Sequence, residues 1–264
     1  MENSALLIFV LKILLSPLLI AVATLLGRRY GPAVSGWFSG FPFVSAPISI
    51  IMALQHGVDF AGNAAIGTIG GQASVCMFAI TYLMMAKRFN WIPSLAASLV
   101  VFFLSAAVWR SISLALLPTL IILFLIVLIL VQFAPARSFN NKNQTPPWWD
   151  LPTRMATAAV FVATLTSFSL LLGPQLSGIL SAFPVFGIIL ATFTHAQQGG
   201  QAVRQLLRGT ILGSFGIAGF YGVISWLLPL SGSIWIYLMA AVGSLAANWI
   251  SLKFALQKKQ IQPL

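Results

Sequence analysis

Few side chains in this sequence can do chemistry, and they fall into a polar group and a basic group. The 264 residues include two histidines, one cysteine and three acids, Glu2, Asp59 and Asp150. The polar group is Gln55 and His56, then His195, Gln197 and Gln198, with Asn63, Gln72 and Gln205 nearby in sequence. A histidine in such a place reads as a solvated loop residue, and a pH-sensitive gate or proton carrier is the alternative. The basic group includes Lys12, Arg110 and Arg154. Lys12 and Arg154 suit cationic sites at opposite ends of a path for an anionic solute; the alternative is snorkelling of long stems to the two membrane interfaces.

Equally informative is what is missing. The sequence has no HExxH, no GxSxG, no phosphate loop and no His, Cys and acid cluster at metal-ligand spacing. No enzyme is expected, and neither is a cofactor or metal. A single cysteine, Cys76, makes no intramolecular disulfide.

Composition decides what must position these residues. Hydrophobic residues make up 59% of the chain and charged residues 6%, and apolar runs of about 20 residues recur from end to end. The expectation is an all-α integral membrane protein embedded in a lipid bilayer. The +11 formal charge then comes from bases flanking membrane spans rather than from a nucleic-acid surface. The periodicity predicts about nine transmembrane helices, near 5–27, 34–55, 62–86, 91–109, 112–134, 153–172, 176–196, 204–228 and 232–254. Because Glu2 follows Met1 with no basic n-region, the first span reads as retained rather than as a signal peptide.

One stretch occurs twice: GPAVSGWFSGFP from Gly31 to Pro42, and GPQLSGILSAFP from Gly173 to Pro184. Seven of these twelve aligned positions are identical at an offset of 142. The same offset carries Lys12 onto Arg154, Gln55 and Gly57 onto Gln197 and Gly199, Gly67, Thr68 and Ile69 onto Gly209, Thr210 and Ile211, and Gly71 onto Gly213. After a two-residue deletion, Ala106, Ala107 and Trp109 fall on Ala246, Ala247 and Trp249. The chain therefore reads as a tandem duplication of a unit of roughly 100 residues. Repeat 1 is 1–110 and repeat 2 is 153–264, each with four spans; a spacer helix and a cytoplasmic connector occupy 111–152.

The basic residues set an orientation. Arg28, Arg29, Lys87, Arg88, Arg137, Lys142, Arg204, Arg208, Lys253, Lys258 and Lys259 all fall on one face of a nine-span chain, which marks that face as cytoplasmic. The N-terminus is then outside and the C-terminus inside. With five spans ahead of it, the second copy enters from the opposite side, giving an inverted 4+1+4 repeat. Inverted repeats in secondary transporters place the solute site near the midplane, between the copies. In the connector, Pro146 and Pro147 block helix, and Trp148 and Trp149 suit an anchor at the headgroup level.

Within the repeated stretch, Gly-Pro starts a helix, Ser and Gly allow close helix approach, and Phe-Pro removes a backbone hydrogen bond inside the membrane. Pro47 reads as a further break that the second copy lacks. Ser35, Ser39, Phe41, Pro42, Ser177, Ser181, Phe183 and Pro184 are thus candidates to line a central cavity. The alternative is that they only pack and kink helices. Asn248 lies in the last span as a cavity residue or as a partner for a neighbouring helix. Lys12, Arg154, Gln55, His195, Gln197 and Arg208 are the gating or charge candidates.

The second copy resembles the GlpM-like small inner-membrane proteins through Phe183, Pro184, His195, Gly199, Leu207, Arg208, Gly243, Ser244 and Trp249. Copy one departs at Ala53 and Ile66, where the histidine and arginine would stand. The resemblance implies a four-helix unit in a bacterial inner membrane and defines no reaction. By architecture the chain also resembles drug/metabolite-type transporters, whose ancestors are small dual-topology dimers, and a homodimer of this chain is one expected assembly. No acid falls inside a predicted span, which disfavours a carboxylate-dependent cation or multidrug antiporter. The expected function is a secondary transporter, or permease, for a small anionic or polar organic solute. The alternative is a non-transporting membrane component that supports envelope, lipid or polysaccharide assembly by binding a partner.

Overall fold

The computed structural model describes residues 2–112, 114–134, 146–171 and 183–257, and all regular structure among them is helical. The helices are α1 (Glu2–Tyr30), α2 (Pro32–Phe38), α3 (Ser45–His56), α4 (Val58–Met85), α5 (Trp91–Ser111), α6 (Leu116–Phe133), α7 (Asp150–Leu171), α8 (Val185–Ser231) and α9 (Ile236–Gln257).

Four of them, α4, α5, α6 and α8, are long and apolar enough to cross a membrane, and α9 adds a shorter apolar stretch, Ile236–Ser251. In α6, Leu117, Ile121, Phe124, Leu125, Leu128 and Ile129 face outward, while Thr119, Leu123, Val127 and Leu130 are buried. A helix apolar on every side, with that much exposed hydrocarbon, is a membrane helix. The chain is an all-helical, membrane-embedded protein. In α5 two buried hydroxyls bond to the preceding turn: Ser94 donates to the Asn90 carbonyl at 2.8 Å and Ser98 to the Ser94 carbonyl at 2.6 Å.

Where one interrupted helix was expected at 34–55 there are two short ones, α2 of seven residues and α3 of twelve. Gly31, at φ 99°, turns the chain and Pro32 opens α2. The helix ends at Phe38, and Pro42, which has no N–H to continue a ladder, instead accepts the Ala46 N–H at 2.7 Å as α3 begins. Pro47 does not break the chain again. It falls in the first turn of α3, where no helical N–H bond is due.

At 47 residues, α8 is too long for a single crossing, and its one non-helical residue is Gly199, at φ 81° and ψ 179°. Gly57, between α3 and α4, adopts φ 93° and ψ 164°. Both glycines occupy a backbone region essentially closed to other residues, and they stand 142 positions apart.

The core is the crossing of α4 with α8, with α2 and α9 packed on the same α8. Small residues let backbones touch there. A Cβ on Gly36 would collide with the Leu206 carbonyl, one on Gly40 with the Gly213 backbone, and one on Gly209 with the Ala33 carbonyl.

Candidate functional site

The helix breaks leave a cavity of about 700 Å³ in the middle of the bundle. Ser39, Phe41 and Phe43 enter it from the α2–α3 break, Phe183 and Pro184 from the start of α8, Ser45 and Ser49 from α3, and Ser16 from α1. Thr68 and Gln72 come from α4, Thr210 and Tyr221 from α8, and Val162 and Leu165 from α7. Among the described residues its lining is hydroxyls, one carboxamide, aromatic rings and aliphatic groups, with no charged side chain.

Hydrogen bonds fix the polar part of the wall. Gln72 donates through Nε2 to Ser214 Oγ at 2.9 Å, and Ser214 donates to the Thr210 carbonyl at 3.2 Å. Ser39 donates to the Gly36 carbonyl and stands 3.4 Å from the Thr210 hydroxyl. On the α3 side, the Tyr237 hydroxyl donates to the Ser49 carbonyl at 2.8 Å. Rings fix the apolar part. Phe41 stacks on Phe43 at 5.3 Å, and Phe183 is held among Phe102, Phe103 and Phe161 at 5.6–5.8 Å.

Past the cavity, toward the C-terminal end of α4, the helix face is tightly buried. Gly67 is exposed and Thr68 half-buried, whereas Gln72 is 7% exposed, Cys76 1%, Phe78 1% and Tyr82 0%. Beyond Gln72 the space is filled by Phe78, Tyr82, Ile189, Leu190 and His195.

Past that filling, at the same end, lies a buried ion cluster. Asp150 Oδ1 accepts from Arg154 Nε at 2.7 Å and from Gln197 Nε2 at 2.6 Å, and its Oδ2 accepts from Arg28 Nη2 at 2.8 Å. Arg154 also donates to Gln197 Oε1 at 3.3 Å, and its guanidinium lies 5.1 Å from the Phe193 ring centre. The side chains of Asp150 and Arg154 are 1% and 3% exposed, and that of Arg28 is 29% exposed. Burial pushes the Asp150 carboxyl up, but hydrogen bonds from Arg154 and Arg28, the Arg154 charge and the Gln197 amide outweigh it and hold the carboxyl below its usual range. The cluster joins the end of α1, the start of α7 and the residue two before the Gly199 break.

The candidates from sequence are distributed as follows. Ser39, Phe41, Phe183 and Pro184 line the cavity. Ser35 is buried against Gly27 of α1, and Pro42 is buried at the break; neither lines it. Gln55 is exposed. His195 is not in a solvated loop: it is 8% exposed inside α8, edge-on to Tyr82 at 5.7 Å. Arg208 is buried and donates to the Ala134 carbonyl at the end of α6, a favourable place for a cation. Asn248 is fully buried in the α8–α9 contact against Gly216, with no hydrogen-bond partner for its amide, and does not line the cavity. Ser177 and Ser181 lie outside the described residues, as does the Lys12 side chain.

Sequence reasoning assigned Asp150 to the connector; it is the first residue of α7. The spacing of Asp150 and Arg154, four residues apart, was the available signal. Arg28 and Ser214 gave none. Comparison with protein-family models, with curated proteins and with solved structures finds no match for this chain.

Proposed function

We propose that the chain is a secondary transporter of a bacterial inner membrane, carrying a small polar organic solute through the central cavity. The observation that carries this reading is that one cavity of solute size is lined by matching parts of both halves, Phe41 with Phe183 and Thr68 with Thr210. Nine spans in an inverted 4+1+4 arrangement, with the N-terminus outside, account for that meeting of the halves. The matched backbone of Gly57 and Gly199 supports it. The resemblance to GlpM-like units belongs to the same reading.

Hydroxyls, a carboxamide and ring faces suit an uncharged solute that both hydrogen-bonds and stacks. An anion would require Lys12, which stands one helical turn before the cavity residue Ser16 on α1. The test is a Ser39→Cys, Cys76→Ser protein probed with a membrane-impermeant thiol reagent from each side. Reaction at position 39 is the expected result. If position 39 stays inert while flanking loops react, the space is dry packing and the partner-binding reading replaces transport.

A further inference from the structure

We propose that the Arg28–Asp150–Arg154–Gln197 cluster is the gate that closes the cavity at that end. The inference rests on the transport reading. In each of three helices the cluster residue lies a short way along from the cavity wall: Arg28 beyond Leu19 in α1, Arg154 before Val162 in α7, and Gln197 beyond Gly187 in α8. At 1.5 Å per residue these separations are roughly 12–15 Å. Between the two levels the space is filled by Phe78, Tyr82 and His195. The cluster ties α1 and α7 to the arm of α8 that carries His195, and that arm packs on α4, which carries Phe78 and Tyr82.

The carboxylate is the one group that touches all three helices. Its two oxygens accept from α1, from α7 itself and from α8. On α8 its contact is to Gln197, two residues before Gly199, where the backbone leaves the helical region. Fixing Gln197 thus fixes the angle between the two arms of α8, and releasing it frees the arm that carries half of the plug.

The 142-residue offset does not reproduce the acid of this cluster in the first copy. At an offset of 142, Arg154 and Gln197 correspond to Lys12 and Gln55, but Asp150 corresponds to Ile8 and Arg28 to Leu170. Gln55, the counterpart of Gln197, is exposed.

The native Cys76 is the reporter. It sits one turn below Gln72, 1% exposed and 3.2 Å from Ser214, between cavity and plug. Asp150→Asn removes the hub, and Arg28→Gln removes the most exposed arm. A membrane-impermeant maleimide added from the face carrying Asp150 is expected to modify Cys76 at least tenfold faster in Asp150→Asn than in the unaltered protein, with a smaller rise in Arg28→Gln. An unchanged rate from that face in both variants overturns the gate. If Asp150→Asn does not fold, Arg28→Gln alone decides, because it leaves the Arg154–Asp150 pair in place. The Ser39→Cys, Cys76→Ser protein separates the two readings: reaction at position 39 with unchanged Cys76 rates sinks the gate alone, and inertness at position 39 sinks the cavity.

Discussion

Gln72 donates a 2.9 Å hydrogen bond to Ser214, and these two residues stand 142 positions apart, the same offset that relates the two GPxxSG stretches. In the inverted repeat proposed above, equivalent positions of the two copies would touch only close to the axis that exchanges them. Both residues lie at the α4–α8 crossing, where that reading puts the axis, and Gln72 also lines the cavity. Cys76 shares the Ser214 hydroxyl at 3.2 Å, so the contact is a small buried polar knot rather than an isolated bond.

A double-mutant cycle on Gln72→Leu and Ser214→Ala should return a coupling of about 0.6 kcal/mol and no more than about 1.7 kcal/mol, the average and the maximum for interhelical hydrogen bonds in membranes. The measurement is reversible unfolding in mixed micelles. A cycle that closes at zero would mean that the bond contributes nothing to holding α4 on α8.

Two glycines predict opposite outcomes for the same substitution. Gly40→Ala drives a methyl into the Gly213 backbone, which cannot move aside as a side-chain tip can. Its expected cost is about 1–3 kcal/mol, with α2 displaced from α8. Gly67→Ala meets nothing within 4 Å and adds its methyl to the cavity wall. It should leave stability within about 0.5 kcal/mol and change only which solutes or thiol reagents fit. Parallel melting curves and labelling rates of the two variants check both halves of this statement.

Much of this fold could be read before any coordinates, because its strongest signals are local. α4, α5, α6 and α8 each hold an apolar stretch long enough to cross a bilayer, and a bilayer admits few other structures for one. Phe41 and Phe183 were found because a proline beside an aromatic inside an apolar run disturbs hydrogen bonding wherever it occurs. The reading went wrong where the outcome depends on a tertiary partner. Pro47 looks like a break in isolation, yet the register of α3 places it harmlessly in a first turn. His195 looks like a loop residue beside Gln197 and Gln198, yet the α8 turn that holds it packs against Tyr82. Arg28 and Asp150 are 122 residues apart, and no periodicity announces their pairing.

Asp150 predicts how the protein responds to acid. Its carboxyl is held below the ordinary value of 3.8 by Arg154, Arg28 and Gln197, the charged and polar groups that face it from α7, α1 and α8. A carboxylate with a depressed folded-state pKa contributes its stability in full above the ordinary value and loses it as pH falls through the lowered one. Unfolding of the unaltered protein should therefore become easier as pH drops below about 4, with little change between pH 5 and 7. Asp150→Asn has no carboxyl to titrate and leaves Arg154 buried without its ionic partner. It should start about 3–5 kcal/mol less stable at neutral pH, and its curve should be flatter through the acid range. Denaturation midpoints of both proteins at pH 7, 5 and 3 decide the matter. Parallel acid limbs in the two proteins would show that the carboxylate is not what the low-pH transition titrates.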